Sequence, residues 1–396
     1  MKSIRDAELS GRRVLLRLDL NVPMNGRQIT DVTRIKAVLP TIKYLVGKHA
    51  KVIIISHLGR PGGKVDYRYS LEVVAKEMEK LLKQEVRYLD STVGDLSHGV
   101  INHLMPGEIL MLENLRFHLG EEANDDKFAQ QLAELGDIYV NDAFACSHRN
   151  HASVVAITRY LPSYVGLLME HEVKSLSDIL SEKAVPRMAI IAGKKVSTKI
   201  EVLMHLAEKM DFMFVGGAMA NTLLKAQGHD IGASYYEKDF VEKAQKFLSR
   251  QSSCQIMLPK DVVVAKPGGD ACRVLNVGEL GENDIIYDVG PETMIVLAGA
   301  METCASVVWN GPLGMFEDPR FAVATSYLAQ LIAKRTQARN VISVVGGGDT
   351  LAAIEKNSLM QEFTFASTAG GAFLEWLEGK GLPGIRALLN AAERLK

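Results

Sequence analysis

Residues 13–23 read RVLLRLDLNVP, and residues 341–350 read VISVVGGGDT. Each contains a short apolar run, at 14–18 and 341–345, with no regular alternation of polar residues. Such runs are the mark of strands buried on both faces, which belong to parallel sheets covered by helices. The residues just beyond the run differ between the two. The first run leads into Asp19 and Asn21, which carry charge or hydrogen-bond; the second leads into three glycines and Asp349. Ligands of open α/β sheets gather beyond the carboxyl ends of the strands. The two stretches therefore predict an α/β fold with parallel sheets and two chemically different sites.

The pattern extends along the chain in both directions. Further apolar runs lie at 52–55, 109–112, 138–140, 188–191, 212–215, 285–287 and 306–309, and helix-like segments at 71–83, 126–135, 200–209 and 236–249 fall between them. Strands alternating with helical crossovers make βαβ units. In the first half the runs end in His57 and Arg60, in Glu113, Asn114 and Arg116, and in Asn141 and Asp142. In the second half they end in Gly193, Gly216 and Gly217, Gly290, Gly311, and Gly346–Gly348. A chain of 396 residues exceeds one ordinary core. The division is expected near Met169, with 163–180 read as a helix joining the halves and 385–396 as a helical tail.

Composition narrows the function. Hydrophobic residues make up 47% and charged residues 23%, and the formal net charge is -1. That balance fits a globular protein and supplies no global field toward nucleic acid or an anionic membrane. The four cysteines (Cys146, Cys254, Cys272, Cys304) form no C-x-x-C pair, which speaks against a disulfide framework and a structural zinc site. No apolar run approaches the length of a membrane span, and residues 1–13 lack the apolar segment of a signal peptide. A cytoplasmic location is the expectation.

Arg34, His57, Arg60, Arg116, His148, Arg149 and His151 fall at or just after strand ends of the first half. Arginine forks hold phosphate and carboxylate bidentately, so this set suits a small doubly anionic substrate. No carboxylate stands at ligand spacing from His148 and His151, and no metal is expected there. In the second half, glycines after strands let backbone N–H groups approach phosphates at helix N-termini. The segments are AGKK (192–195), GGA (216–218), GGGDT (346–350) and STAGGA (367–372). Lys195 and Lys199 lie four apart and can meet one phosphate chain, and Asp349 is the expected Mg²⁺ ligand. No G-x-x-x-x-G-K-[ST] occurs, and the literal G-x-G-x-x-G at Gly379, Gly381 and Gly384 comes after a helix-like segment rather than a strand.

RVLLRLDLNVP, SHLGRP (56–61), LENLRFHLGEE (112–122), YVNDAFACSHRNHAS (139–153), VVWNGPLGMFE (307–317), GGGDT and LEGKGLPG (377–384) closely resemble the phosphoglycerate kinase family, in order and spacing. The resemblance implies two Rossmann-like domains, 1–169 and 170–375, joined by a helix and hinge, with a tail from about 376 returning to the first and a ligand cleft between them. It implies a cytoplasmic, monomeric kinase of glycolysis and gluconeogenesis. The enzyme would transfer phosphoryl reversibly between ATP and the carboxylate of 3-phosphoglycerate, giving ADP and 1,3-bisphosphoglycerate, in line after domain closure. By resemblance the 3-phosphoglycerate site comprises Asp19, Leu20, Asn21, Arg34, His57, Leu58, Gly59, Arg60, Arg116 and Arg149. The nucleotide site comprises Lys199, Gly216, Gly217, Gly290, Asn310, Pro312, Glu317 for the ribose, and Gly347, Gly348, Asp349 and Thr350, with Asp349 holding Mg²⁺. Arg34, Lys195 and the helix start at Gly371 would steady the phosphoryl group in flight. The acceptor is an ionised carboxylate, so no general base is needed.

The chain departs from the family pattern at Ala192, Lys194, Thr198 and Ala369. The two alanines are tolerable where φ is negative. Lys194 stands where the purine would pack: either its stem covers the base with the ammonium turned to solvent, or it is a neutral replacement pointing away. Cys146 is expected to be a packed small side chain. A dehydrogenase on two α/β domains is disfavoured by the missing strand-borne fingerprint. A binding protein that has lost activity is disfavoured because Arg34, Lys195, Lys199, Glu317 and Asp349 all remain.

Overall fold

In the computed structural model, which describes residues 1–269 and 271–394, the apolar runs pair as parallel strands. Six form the sheet of a first unit: β1 (Arg13–Arg17), β2 (Lys51–Ile55), β3 (Arg87–Leu89), β4 (Ile109–Leu112), β5 (Ile138–Asn141) and β6 (Ser163–Val165). Their spatial order is β3-β4-β2-β1-β5-β6. Val14, Leu15, Leu16, Val52, Ile53 and Ile54 are fully buried, as a sheet covered on both faces requires. Register aligns Arg17 with both Ile55 and Asn141, so the segments after β1, β2 and β5 leave the sheet at one level. The chain turns one way after β1, toward β2, and the other way after β5, toward β6. This is a topological switch point, where open α/β sheets bind ligands.

The second unit has β7 (Arg187–Ala192), β8 (Phe212–Gly216), β9 (Gln255–Met257), β10 (Ser306–Asn310), β11 (Ile342–Gly346) and β12 (Phe365–Ser367). All are parallel, in the order β9-β8-β7-β10-β11-β12. This is the strand order of the dinucleotide-binding fold, with its switch point between β7 and β10. Ala192 pairs with Gly216, and Asn310 with Gly346, so the glycine turns also leave from one level. Trp309 and Phe214 fill the core below them.

The units comprise Met1–Val173 with the tail from Gly381, and Lys174–Lys380. The sequence placed the division near 169 and the return near 376. The helix Leu167–Ile179 runs through the first boundary, and Gly379 still packs against His205 of the second unit. The tail helix Pro383–Arg394 then docks on the first unit: the Gly384 N–H donates to the Ser147 carbonyl (2.9 Å), and Arg394 to that of Thr158 (2.8 Å).

Two expectations need correction. Residues 163–180 are not one helix, because β6 precedes the turn at Gly166 and only Leu167–Ile179 is helical. The run at 285–287 does not join a parallel sheet. It lies in Ile285–Val289, which pairs antiparallel with Asp261–Ala265 in a small three-stranded sheet completed by Cys272–Asn276. Its first three residues are only partly buried, so it needed no helical cover. Among the described residues no helix is long and apolar enough to cross a membrane.

Candidate active site

The first unit gathers cations beyond β1, β2, β4 and β5. Arg34, at the start of helix α1 (Thr33–Gly47), forms an ion pair with Asp19. Asp19 also accepts the Asn21 N–H (3.1 Å), and the Asn21 side-chain oxygen accepts the Gly59 N–H (2.8 Å). Ser56 Oγ accepts from Leu20 N–H (3.0 Å) and donates to the Leu18 carbonyl (2.7 Å). These bonds tie the loops after β1 and β2 into one rim. Arg116, in the 3-10 turn Leu115–Phe117, donates to the Gly59 carbonyl (2.7 Å) and pairs with Glu122 (3.0 Å). Arg149 reaches His57 Nε2 at 3.0 Å.

Of the residues expected here, Asp19, Leu20, Asn21, Arg34, His57, Leu58, Gly59, Arg116 and Arg149 fall in this connected set. Arg60 is exposed and joins none of these bonds among the described residues. Sequence reasoning missed Arg17. It is fully buried and donates to Ser153 Oγ (2.9 Å), the Leu18 carbonyl and Cys146 Sγ (3.7 Å), with His57 Nδ1 at 3.1 Å. Its signal was its place as the one charged residue inside the 14–18 run.

Electrostatics favour an anion. His57 is held well below the ordinary imidazole range, first by burial and then by Arg17, Arg116, Arg149 and His151. Asp19, His57 and Cys146 present donor atoms within 4.8 Å of one another, but a divalent cation there would face Arg17, Arg34 and Arg149, whose charges all act on Cys146. Burial pushes the Cys146 thiol up, which makes it inert packing rather than a nucleophile.

The second unit builds its site from the glycine turns. Lys199 Nζ donates to the Ala192 carbonyl (2.5 Å) and to Asn310 Oδ1 (2.6 Å). Asn310 Nδ2 donates to the Gly346 carbonyl (2.7 Å), and the Gly311 N–H to Thr350 Oγ1 (2.7 Å). This network joins the ends of β7, β10 and β11. Helices Ala218–Ala226 and Gly348–Lys356 start directly after glycines, with no side-chain cap. In the first, Met219 N–H donates to the Gly193 carbonyl (2.9 Å) and Ala220 N–H to that of Gly217 (3.0 Å), while the start of the second offers backbone donors to an anion. Gly217 has φ 67°, and a Cβ there would meet the Gly193 backbone oxygen at 2.7 Å, so only glycine allows this close approach.

Beside these turns lies a cavity of about 740 Å³, walled by Tyr235, Ile285, Tyr287, Leu313 and Met315 and rimmed by Lys194, Glu317 and Asp349. Its size and apolar lining suit an aromatic base with a few polar groups at the edge. Gly217 and Pro312 also line it. Gly216, Lys199, Asn310, Gly347, Gly348 and Thr350 belong to the turns, with Lys195 heading the one after β7. Gly371 opens the short helix Gly371–Leu377 after β12. Gly290 lies after Ile285–Val289 rather than after a strand of the parallel sheet. It precedes helix Pro291–Glu302 beside the Asp261 carboxylate, which accepts the Glu292 (2.9 Å) and Thr293 (2.7 Å) N–H groups.

The departures resolve locally. Ala192 ends β7 and Ala369 is buried, and neither has a positive φ; Gly370 (φ 53°) takes that position. The Lys194 ammonium lies 5.5 Å from the Tyr235 ring centroid. It is thus not simply turned to solvent but held by a cation–π contact at the cavity rim.

Burial lowers the Lys199 ammonium to about 8, with Asp349 opposing. The unfolded chain binds this proton up to the ordinary lysine range and the folded chain only up to about 8. Between those values stability therefore rises with pH, and the contribution is lost as pH falls through 8. An anionic ligand beside Lys199 raises its pKa again. Binding of a phosphate-bearing anion at pH 9 should then take up a proton, visible in calorimetry as an enthalpy that varies with the buffer's ionisation enthalpy, and Lys199→Met should abolish that dependence. A buffer-independent enthalpy would contradict the role given to Lys199.

The geometry meets independent support from known proteins. The family model described as phosphoglycerate kinase matches residues 4–380. The phosphoglycerate kinase of Maricaulis maris is 46% identical, over 99% of this chain and 98% of the relative. That of Caulobacter sp. is 47% identical over 98% and 99%. The structure of phosphoglycerate kinase from Coxiella burnetii superposes with a TM-score of 0.90 at 41% identity, covering 98% of both chains. With both strand order and sequence in agreement over nearly the whole length, the chain belongs to the phosphoglycerate kinase family.

Proposed function

We propose that the two units divide the reactants of the family's reaction: the first holds 3-phosphoglycerate and the second holds ATP or ADP. The reaction is the reversible glycolytic transfer of a phosphoryl group between them. The observation that carries the division is the contrast at the two switch points, guanidiniums after β1, β4 and β5 against glycine-led helix starts without side-chain caps after β8 and β11. Asp19, Asn21, Arg34, His57, Arg116 and Arg149 form the acid site, and the exposed Arg60 stands at its rim. Lys199, the turn at Gly216 and Gly217, Asn310, Pro312, Glu317 and Gly347–Thr350 form the nucleotide site.

The acceptor carboxylate is ionised at neutral pH, so the site needs no group to remove a proton. Its task is to position the reactants and to set positive charge around the phosphoryl group in transit. Arg34, Lys195 and the N–H groups opened by Gly371 supply that charge. Asp349 fits Mg²⁺: its carboxylate is exposed at the cavity rim, and one carboxylate with phosphate oxygens and water is a magnesium donor set. The ion, when bound, neutralises charge on the phosphate oxygens. The residues assigned to both sites come from one chain, which accords with a monomer as the acting form.

Binding isotherms of single variants test the division. Arg116→Ala should weaken 3-phosphoglycerate at least about tenfold, the value of one charge-assisted bond, and leave ADP unchanged; Lys199→Met should do the reverse. Weakening of both ligands by either variant would refute the assignment. Lys194→Ala should raise the KM for ATP about threefold through loss of its cover at the rim, with the KM for 3-phosphoglycerate unmoved. An unchanged KM for ATP would place Lys194 outside the base site.

A further inference from the structure

We infer that Arg17 is a positioning residue that fixes the tautomer of His57, making the imidazole a neutral donor through Nε2–H. This deepens, and rests on, the assignment of the first unit to 3-phosphoglycerate. Two guanidiniums face the two ring nitrogens: Arg17 at Nδ1 (3.1 Å) and Arg149 at Nε2 (3.0 Å). A guanidinium only donates, and a neutral imidazole has one accepting nitrogen. One of the two contacts is therefore a hydrogen bond, and the other sets donor against donor. Protonation of the ring would make both unfavourable, and burial with Arg17, Arg116, Arg149 and His151 around it keeps the ring neutral.

The packing decides which contact is the bond. Arg17 is fully buried, and its other nitrogens are committed to Ser153 Oγ (2.9 Å) and the Leu18 carbonyl. Behind it, Ser153 Oγ donates to Glu121 Oε1 (2.6 Å), and the Ser153 N–H donates to Glu121 Oε2 (3.0 Å). Tyr139 OH holds the Ser153 carbonyl (2.6 Å). The fully buried Glu121 carboxylate balances the Arg17 charge, so this chain of groups cannot shift without stranding a buried ion. Arg149 is only partly buried, and among the described residues its guanidinium has no polar side-chain contact besides that with His57.

Nδ1 is then the acceptor and Nε2 carries the proton. Arg149 and Nε2–H converge as two donors with no acceptor between them, a mismatch that an anionic oxygen relieves by accepting from both. The ligand-free contact between Arg149 and His57 is thus the one exchanged for substrate. Fixing a tautomer through the far nitrogen is a general way to set what an imidazole offers its ligand.

The test is ¹⁵N NMR of protein labelled at histidine, with His57 identified by its loss in His57→Gln. The wild type should show Nδ1 unprotonated and Nε2 protonated across pH 6–9, and 3-phosphoglycerate should shift the Nε2 signal. Arg17→Lys keeps the positive charge facing Glu121 but loses the planar fork. It should release the tautomer, so that Nδ1–H becomes populated. The KM for 3-phosphoglycerate should then rise about tenfold, with the KM for ATP within about twofold. An Nδ1–H tautomer in the wild type, or a pure Nε2–H tautomer in Arg17→Lys, would overturn the inference. The wild-type spectrum decides the first point without any variant. A His57 signal with the expected tautomer that ignores 3-phosphoglycerate would support the lock and count instead against the substrate site.

Discussion

Arg34→Ala is expected to lower kcat/KM for 3-phosphoglycerate by more than about 100-fold, the scale of losing a charged group that acts on the transition state. Two effects add. The variant removes a cation from the place where negative charge gathers during transfer. It also strands Asp19, which is nearly buried and ion-paired to Arg34, as an uncompensated carboxylate beside an anionic substrate. Asp19→Asn combined with Arg34→Ala should recover part of the loss, because it removes only that repulsion. Steady-state kinetics of the two variants separate the effects. Activity of Arg34→Ala within about tenfold of wild type would remove Arg34 from the transition-state role.

Gly311→Ala should destabilise the second unit by about 4 kcal/mol or more, at the extreme of single substitutions. Gly311 lies just past β10 at the switch point with φ 100°, and a Cβ there would lie 1.9 Å from the Ala192 carbonyl oxygen. No side chain can yield, since the obstacle is backbone of the neighbouring strand, and the same carbonyl accepts from Lys199. The nucleotide turns should be lost with it. Gly299→Ala is the control: it sits inside helix Pro291–Glu302 with open space around its α-carbon, and should stabilise by roughly 0.5–1 kcal/mol. Both tryptophans, Trp309 and Trp376, lie in the second unit, so tryptophan fluorescence in urea follows that unit alone. Equal midpoints for the two variants would refute the steric argument.

The sequence revealed most where one segment carries its own evidence. Doubly buried strands such as β1 and β11 are apolar whatever surrounds them, and the residues just beyond them marked the two candidate sites. Edge strands were harder. β3, β9 and β12 are three residues each, and β3 and β9 are partly exposed, too short and too mixed to stand out from loops. The small antiparallel sheet alternates little and has one open strand, Cys272–Asn276. The walls of the second unit's cavity arrive from Tyr235, Ile285, Leu313 and Met315, separate places with no common local pattern. Arg17 was visible as a residue but not as a device, because Ser153 lies 136 positions away and only folding brings them together.

The central claim is that each unit holds one reactant. A crystal structure with 3-phosphoglycerate and an ATP analogue bound tests it most directly. The acid is expected against Arg34, His57, Arg116 and Arg149, with Nε2 of His57 and Arg149 sharing one of its oxygens. The base is expected inside the cavity of Tyr235 and Leu313, and the phosphates at the turns of Gly217 and Gly348. Finding 3-phosphoglycerate in the cavity of the second unit, or the nucleotide phosphates on the arginines of the first, would contradict it.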